Sequence, residues 1–180
     1  GRNESTVVAL FSAKLLNTGT SYMKMWMPAS SDVSYFTALA PSAKTASSPY
    51  QSKPSLVVTM RKEKPAVEEP FVVVYEPISD KLSTGLIESV DRIKLDSLGK
   101  KGCAIKVKTK EGDTFTLVNI LKDGPVILNN QKCCGDFAIF AKRKGKNSVY
   151  VGNGSFVENK EFKVESENRG SFYMEYDQTS

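Results

Sequence analysis

Tyr22, Lys24 and Trp26 stand at alternate positions of Ser21-Tyr22-Met23-Lys24-Met25-Trp26-Met27-Pro28. On an extended chain a period of two sends Met23, Met25 and Met27 to one face and Tyr22, Lys24 and Trp26 to the other. Aromatic rings stack on the apolar faces of sugar rings, and an ammonium pairs with carboxylate or sulfate. The second face therefore has the chemistry to hold an acidic glycan. The same residue types also fit an interface or a second apolar layer, where the single Trp would be an anchor. Further along, Lys142, Arg143, Lys144 and Lys146 surround Gly145 and read as a basic hairpin tip. Such a tip attracts a polyanion over about one Debye length, ~8 Å at physiological salt. As a turn, it also serves solubility alone.

The chain contains no histidine. That removes the usual general base near neutral pH and the commonest metal ligand, and with them zinc-hydrolase, Ser-His-Asp and Cys-His schemes. An enzyme made from this chain alone would need Lys, Tyr, Asp or Glu as its base, with a pKa moved by burial. No catalytic residue is assigned. Asp32, Asp91, Asp96, Asp113, Asp123 and Asp136 sit in or beside turns without calcium-loop spacing, so neither a metal nor another cofactor is expected. The three cysteines, Cys103, Cys133 and Cys134, do not make a disulfide framework. Free thiols, a vicinal ring and a Cys103–Cys133 bridge all remain open.

With 25 basic and 20 acidic residues the net charge is +5, compatible with an acidic partner without demanding one. Neither a strong positive excess nor an aromatic platform for bases stands out, so a nucleic-acid partner is not expected. The longest apolar run is far too short for a membrane span, and no membrane partner is expected.

The elements that must position these residues are strands. Phe71-Val72-Val73-Val74-Tyr75, set between Pro70 and Pro77, reads as a strand covered on both faces, because the prolines leave too little room for a helix. Thr6 to Leu16 suits a strand or a short helix. Ser21 to Pro28 and Val33 to Ala40 are two strands joined as a hairpin or corner. Pro41 to Pro54 is a long surface loop, and Leu56 to Met60 returns to strand character. After Ile78, strands are expected over 87–95, 103–109, 114–120, 126–128, 137–141, 148–151, 162–165 and 171–176. Gly-, Asn- and Asp-bearing turns separate them, and Asn153-Gly154 is a hairpin-turn signal. Alternation places Cys103, Ile105 and Val107 on one face and Lys106 and Lys108 on the other. Together these features predict an all-β fold, an antiparallel two-sheet β-sandwich with little or no helix, as one domain over 1–180.

The run from Tyr22 to Pro77 also resembles a segment of the heparinase II/III-like polysaccharide lyases. Trp26-Met27-Pro28, Tyr35-Phe36-Thr37-Ala38-Leu39-Ala40-Pro41, Leu56-Val57-Val58-Thr59-Met60-Arg61 and Glu69-Pro70-Phe71-Val72-Val73-Val74-Tyr75-Glu76-Pro77 carry it. The stretch from Phe137 to Phe156, with Tyr150-Val151-Gly152-Asn153-Gly154, is similar to a hairpin near the C-terminal end of those enzymes. The family cleaves uronic-acid-containing polysaccharides by β-elimination. An α/α-toroid carries much of the active site, and β-sandwich regions pack behind it. The resemblance implies that this chain is a non-catalytic accessory β-domain, the C-terminal part of a longer lyase. Its partners would be the helical catalytic domain of the same polypeptide and an acidic polysaccharide at the cleft. The implied setting is bacterial, periplasmic or extracellular. None of the family's active-site Tyr, His or Asn residues matches a position here. A carbohydrate-binding module using Tyr22, Lys24 and Trp26, and a docking or oligomerisation domain without ligand, are the competing readings.

Overall fold

The computed structural model describes residues 2–3, 5–15, 19–40, 55–63, 70–95, 102–120, 124–128 and 131–177. The strands in chain order are β1 (Arg2–Asn3), β2 (Val7–Leu15), β3 (Gly19–Met27), β4 (Ser30–Ala40), β5 (Ser55–Lys62), β6 (Val74–Ile78) and β7 (Ile87–Ile93). They continue as β8 (Gly102–Thr109), β9 (Thr114–Ile120), β10 (Val126–Leu128), β11 (Gln131–Cys134), β12 (Phe137–Arg143), β13 (Lys146–Glu158) and β14 (Lys163–Asp177). No helix occurs among the described residues. The fold is all-β, antiparallel and sandwich-like, as the turn spacing predicts. Its strands form three sheets rather than two: β1-β4-β5, β2-β3-β6, and an eight-stranded sheet of order β10-β11-β13-β12-β9-β8-β7 with β14 also paired to β13. The expected loop over 41–54 lies outside the described residues.

The eight-stranded sheet holds the larger core on one of its own faces. Ala104, Val118, Ile120, Val126, Leu128, Cys133, Ala138, Phe140, Val149, Val151 and Val157 form one buried cluster. All come from strands of this one sheet, so it curls into a half-barrel that encloses its inner face. The other face is covered differently. Val90, Ile105 and Val107 pack with Val72, and Trp26 and Val74 of the β2-β3-β6 sheet close over them. Strands covered on both sides explain why Cys103 to Thr109 is so largely buried, against the expectation of one wet face.

The valine-rich run differs from its predicted state. Strand pairing begins only at Val74, β6 is an edge strand of its sheet, and Phe71 and Tyr75 are 45% and 59% exposed. A continuous apolar run does not reveal which side lacks a neighbour. Pro77 does, because a residue without an N–H fits an edge.

Tyr22, Lys24 and Trp26 do share a face of β3, pairing with Ile78, Glu76 and Val74 of β6. That face is turned toward the eight-stranded sheet rather than outward. Glu76, only 6% exposed, is the reason the two layers lock. Its carboxylate accepts the indole N–H of Trp26 at 2.9 Å, the backbone N–H of Ile87 at 2.8 Å and that of Leu86. Gly85 stands at φ +72, and a Cβ there would overlap the same carboxylate.

β3 and β4 meet at a corner, not a hairpin: they pair into different sheets. Asp32, expected in a turn, lies within β4, buried, with Lys62 Nζ of β5 at 2.8 Å. The tip expected at Asn153-Gly154 is instead a bulge inside β13, because both flanks go on pairing with β14. Asn153 takes φ 47, and a Cβ on Gly154 would overlap the Cys134 carbonyl and Val151. The candidate strands over 162–165 and 171–176 are two parts of the one strand β14. No disulfide joins Cys103, Cys133 and Cys134.

Glu76→Ala leaves three partly buried donors without their acceptor and is expected to lower unfolding free energy by roughly 2 kcal/mol in a urea titration. Glu76→Gln, which keeps an acceptor oxygen, is expected to cost less. Burial works against ionisation of Asp32, but hydrogen bonds from Lys62 and Ser30 outweigh it and hold the carboxyl below its ordinary 3.8. The resulting stabilisation is complete above that ordinary value and is lost as pH falls through the lower folded one. Acid titration of stability should therefore be shallower in Asp32→Asn than in the parent.

Candidate binding groove on the half-barrel

The Tyr22-Lys24-Trp26 face is occupied by its own structure. Trp26 packs on the Val72-Val90-Ile105-Val107 cluster while its N–H is held by Glu76. Lys24 Nζ donates to the Thr84 carbonyl, which also accepts from Lys110 Nζ at 2.9 Å. Tyr22 is half-buried. These contacts put Trp26 in an apolar layer between two sheets of the chain itself.

The basic stretch forms the predicted hairpin between β12 and β13. Arg143 pairs with Lys146 across a two-residue turn whose central residues, Lys144 and Gly145, both have positive φ, 48° and 83°. Alternation then splits the cluster. Arg143 goes to the outer face, its guanidinium 5.9 Å from the Phe115 ring and 3.5 Å from Asp113. Asp113 also accepts the Lys144 backbone N–H at 3.3 Å. Lys142 goes to the inner face of the half-barrel.

There it joins residues that are far apart in sequence. The registers place Ser89, Lys108, Thr114, Lys142, Asn147 and Tyr176 side by side on successive strands β7, β8, β9, β12, β13 and β14. The neighbouring row begins Asp91, Lys106, Thr116 and turns apolar at Phe140, Val149 and Met174. The row beyond, with Ile93, Ala104, Val118, Ala138, Val151 and Phe172, is wholly apolar. The inner face thus grades from a dry core to a polar mouth. At the mouth a cavity of about 200 Å³ lies between Thr114, Thr116, Lys142, Asn147, Tyr176 and Gln131.

Gln131, at the start of β11, reaches across the curl, its amide donating to the Tyr176 hydroxyl at 3.5 Å. The Tyr176 ring is set edge-on to Phe162, centroids 4.7 Å apart. Burial, and after it the Glu161 carboxylate, pushes the Tyr176 phenol above its ordinary value, partly offset by hydrogen bonds with Asn159 and Gln131. A phenol so placed stays protonated at neutral pH and offers a hydrogen-bond donor rather than a base. Hydroxyls, amides, ammoniums and one ring edge give this mouth the means to bind a polar, anionic ligand.

The outer face carries a different feature. An apolar cleft of about 260 Å³ runs beside Val72, Cys103, Ile105, Leu117, Phe137 and Ile139. Phe137 and Tyr150 rings lie 5.5 Å apart, and a Cβ on Gly152 would overlap the Phe137 ring. Burial raises the Cys103 thiol above its ordinary value, against the opposing charge of Arg92. Among the described residues no three of Cys, Asp and Glu come together as a metal site.

Lys142 at the basic tip, and Lys106 and Lys108 on one strand face, are legible in the sequence. Thr114, Asn147 and Tyr176 are not legible as their neighbours, because only the strand register sets them together.

The chain is similar to an endo-acting ulvan lyase from Formosa agariphila, 28% identical over 158 residues. The aligned part is 84% of this chain but 19% of that protein, so the chain spans about a fifth of the relative it matches. Most of its length thus resembles a domain-sized part of a polysaccharide lyase. No protein-family model matches the chain, and no solved structure matches it.

Because Trp26 is the only Trp and is committed to Glu76 and the inter-sheet cluster, its fluorescence should be blue-shifted in the folded protein. It should not change when anionic polysaccharide is added. A saturable change on addition would instead place a ligand at β3.

Proposed function

We propose that this chain is a non-catalytic accessory β-domain of a polysaccharide lyase of the heparinase II/III-like kind. In this reading it packs against a helical catalytic domain in the same polypeptide and borders the cleft that holds an acidic polysaccharide, in the periplasm or outside the cell. The observation that carries the reading is the similarity of 84% of the chain to 19% of an ulvan lyase. A match confined to one domain's worth of a large enzyme fits a supporting part. The residue content agrees, since a chain with no histidine lacks the commonest proton-transfer group. The apolar cleft beside Phe137 is the kind of surface a neighbouring domain would cover.

A carbohydrate-binding role of the chain on its own is the second reading, favoured by the polar mouth of the half-barrel. The two share their first test. The purified chain, incubated with ulvan, polygalacturonate, alginate and heparan sulfate, is expected to give no rise in unsaturated-uronate absorbance. A steady rise with any of them, above a boiled control, would refute the non-catalytic assignment.

A further inference from the structure

We infer that the polar mouth of the half-barrel is a binding site for an anionic polysaccharide, with Lys108 and Lys142 reading its acid groups and Tyr176 and Asn147 its sugar rings and hydroxyls. The inference deepens the accessory-domain reading by naming the surface that meets the glycan. It differs from the sequence expectation, which placed glycan contact on β3 and the hairpin tip.

Four observations carry it. First, the row Ser89, Lys108, Thr114, Lys142, Asn147, Tyr176 runs perpendicular to the strands across the sheet. A site of that shape is a trough suited to an extended chain. Second, Lys108 and Lys142 are two strands apart, which at strand spacing is about 10 Å. Acid groups on alternate sugars of a polyanion repeat on a comparable scale, so both lysines can be met by one chain. Third, between the lysines and beyond them stand Thr114, Asn147 and the protonated Tyr176, whose donors and acceptors match hydroxyl groups. An apolar peptide would have no use for that row. Fourth, the β12–β13 hairpin that carries Lys144 and Lys146 flanks the row beside Lys142 and Asn147, so positive charge continues along its side.

The carboxylates nearby are peripheral. Asp91 lies beside Lys106 at the β7 edge and is hydrogen-bonded by Ser89 at 2.9 Å, and Glu161 approaches Tyr176 from the far end. Asp113 is buried and engaged by Arg143 and the Lys144 N–H. None stands between Lys108 and Lys142 in the row. The ligand is therefore expected to be anionic rather than neutral.

The test is affinity electrophoresis and calorimetry of the whole chain with polygalacturonate and with dextran sulfate, using dextran as the neutral control. The parent is expected to bind at least one of the anionic polymers, more weakly as salt rises, and not dextran. Lys108→Gln with Lys142→Gln is expected to reduce affinity roughly tenfold or more, the scale of lost charge-assisted hydrogen bonds. Lys144→Gln with Lys146→Gln, on the exposed tip, is expected to cost no more than roughly threefold. Tyr176→Phe should bind measurably less tightly while melting at the parent temperature. Equal losses from the row and tip pairs, an unchanged row pair, or no binding by the parent would each overturn the site. Thr114→Val supplies a further probe of the trough should a lysine variant melt early. Unsaturated product in the same tubes is a separate signal: it would remove the non-catalytic reading and leave the trough untouched.

Discussion

A buried carboxylate holds this molecule's layers in place. Glu76 sits at the seam between the β2-β3-β6 sheet and the half-barrel, and it accepts from Trp26 on one side and from Leu86 and Ile87 on the other. A buried carboxyl group is costly unless its lone pairs are filled, and here three N–H donors fill them. Because two of these donors are backbone groups at the start of β7, the contact fixes where the chain enters the large sheet. Gly85 has no side chain, which lets the carboxylate come that close. Carboxyl, tryptophan and glycine act as one clasp at the edge strand β6.

Beyond the seam, the large sheet does two jobs with its two faces. Its curl buries one face on itself, so no second sheet is needed to complete that core. The outer face near β7, β8 and β9 is closed by Trp26, Val72 and Val74, which leaves the apolar cleft by Phe137 uncovered. β13 makes the curl possible. Its first part lies between β12 and β14 and its last part between β11 and β14, with the Asn153-Gly154 bulge at the changeover. A bulge strengthens twist locally, which is how one strand can serve two neighbours in turn. Asp136 and Arg169 brace this point: Asn153 Nδ2 donates to Asp136 at 2.7 Å, and Arg169 bonds both Asp136 and the Asn153 carbonyl.

The polar mouth owes its position to the same curl. Where the inner face narrows, valines and alanines meet and exclude water. Where it opens, the same strands carry lysine, threonine, asparagine and tyrosine. The part of the Formosa agariphila ulvan lyase to which the chain is similar is 19% of that protein's length.

Local sequence was enough to determine that the chain is built of strands. Period-two alternation and turn residues act between near neighbours, and Thr114–Ile120 and Val126–Leu128 fall where they were predicted. The hairpin of Lys142 to Lys146 was likewise legible, because a two-residue turn is a local event. The short strand β11 was missed, since Gln131 to Cys134 shows neither alternation nor a strong apolar run. Which strands sit at edges, which face Trp26 seeks, and whether Asn153-Gly154 turns the chain or merely bulges it were settled by tertiary structure. Each depends on partners tens of residues away. The row from Ser89 to Tyr176 is the clearest case: its members come from six strands, and no window of sequence contains them together. Side-chain type is written residue by residue, but adjacency across a sheet is created only by register.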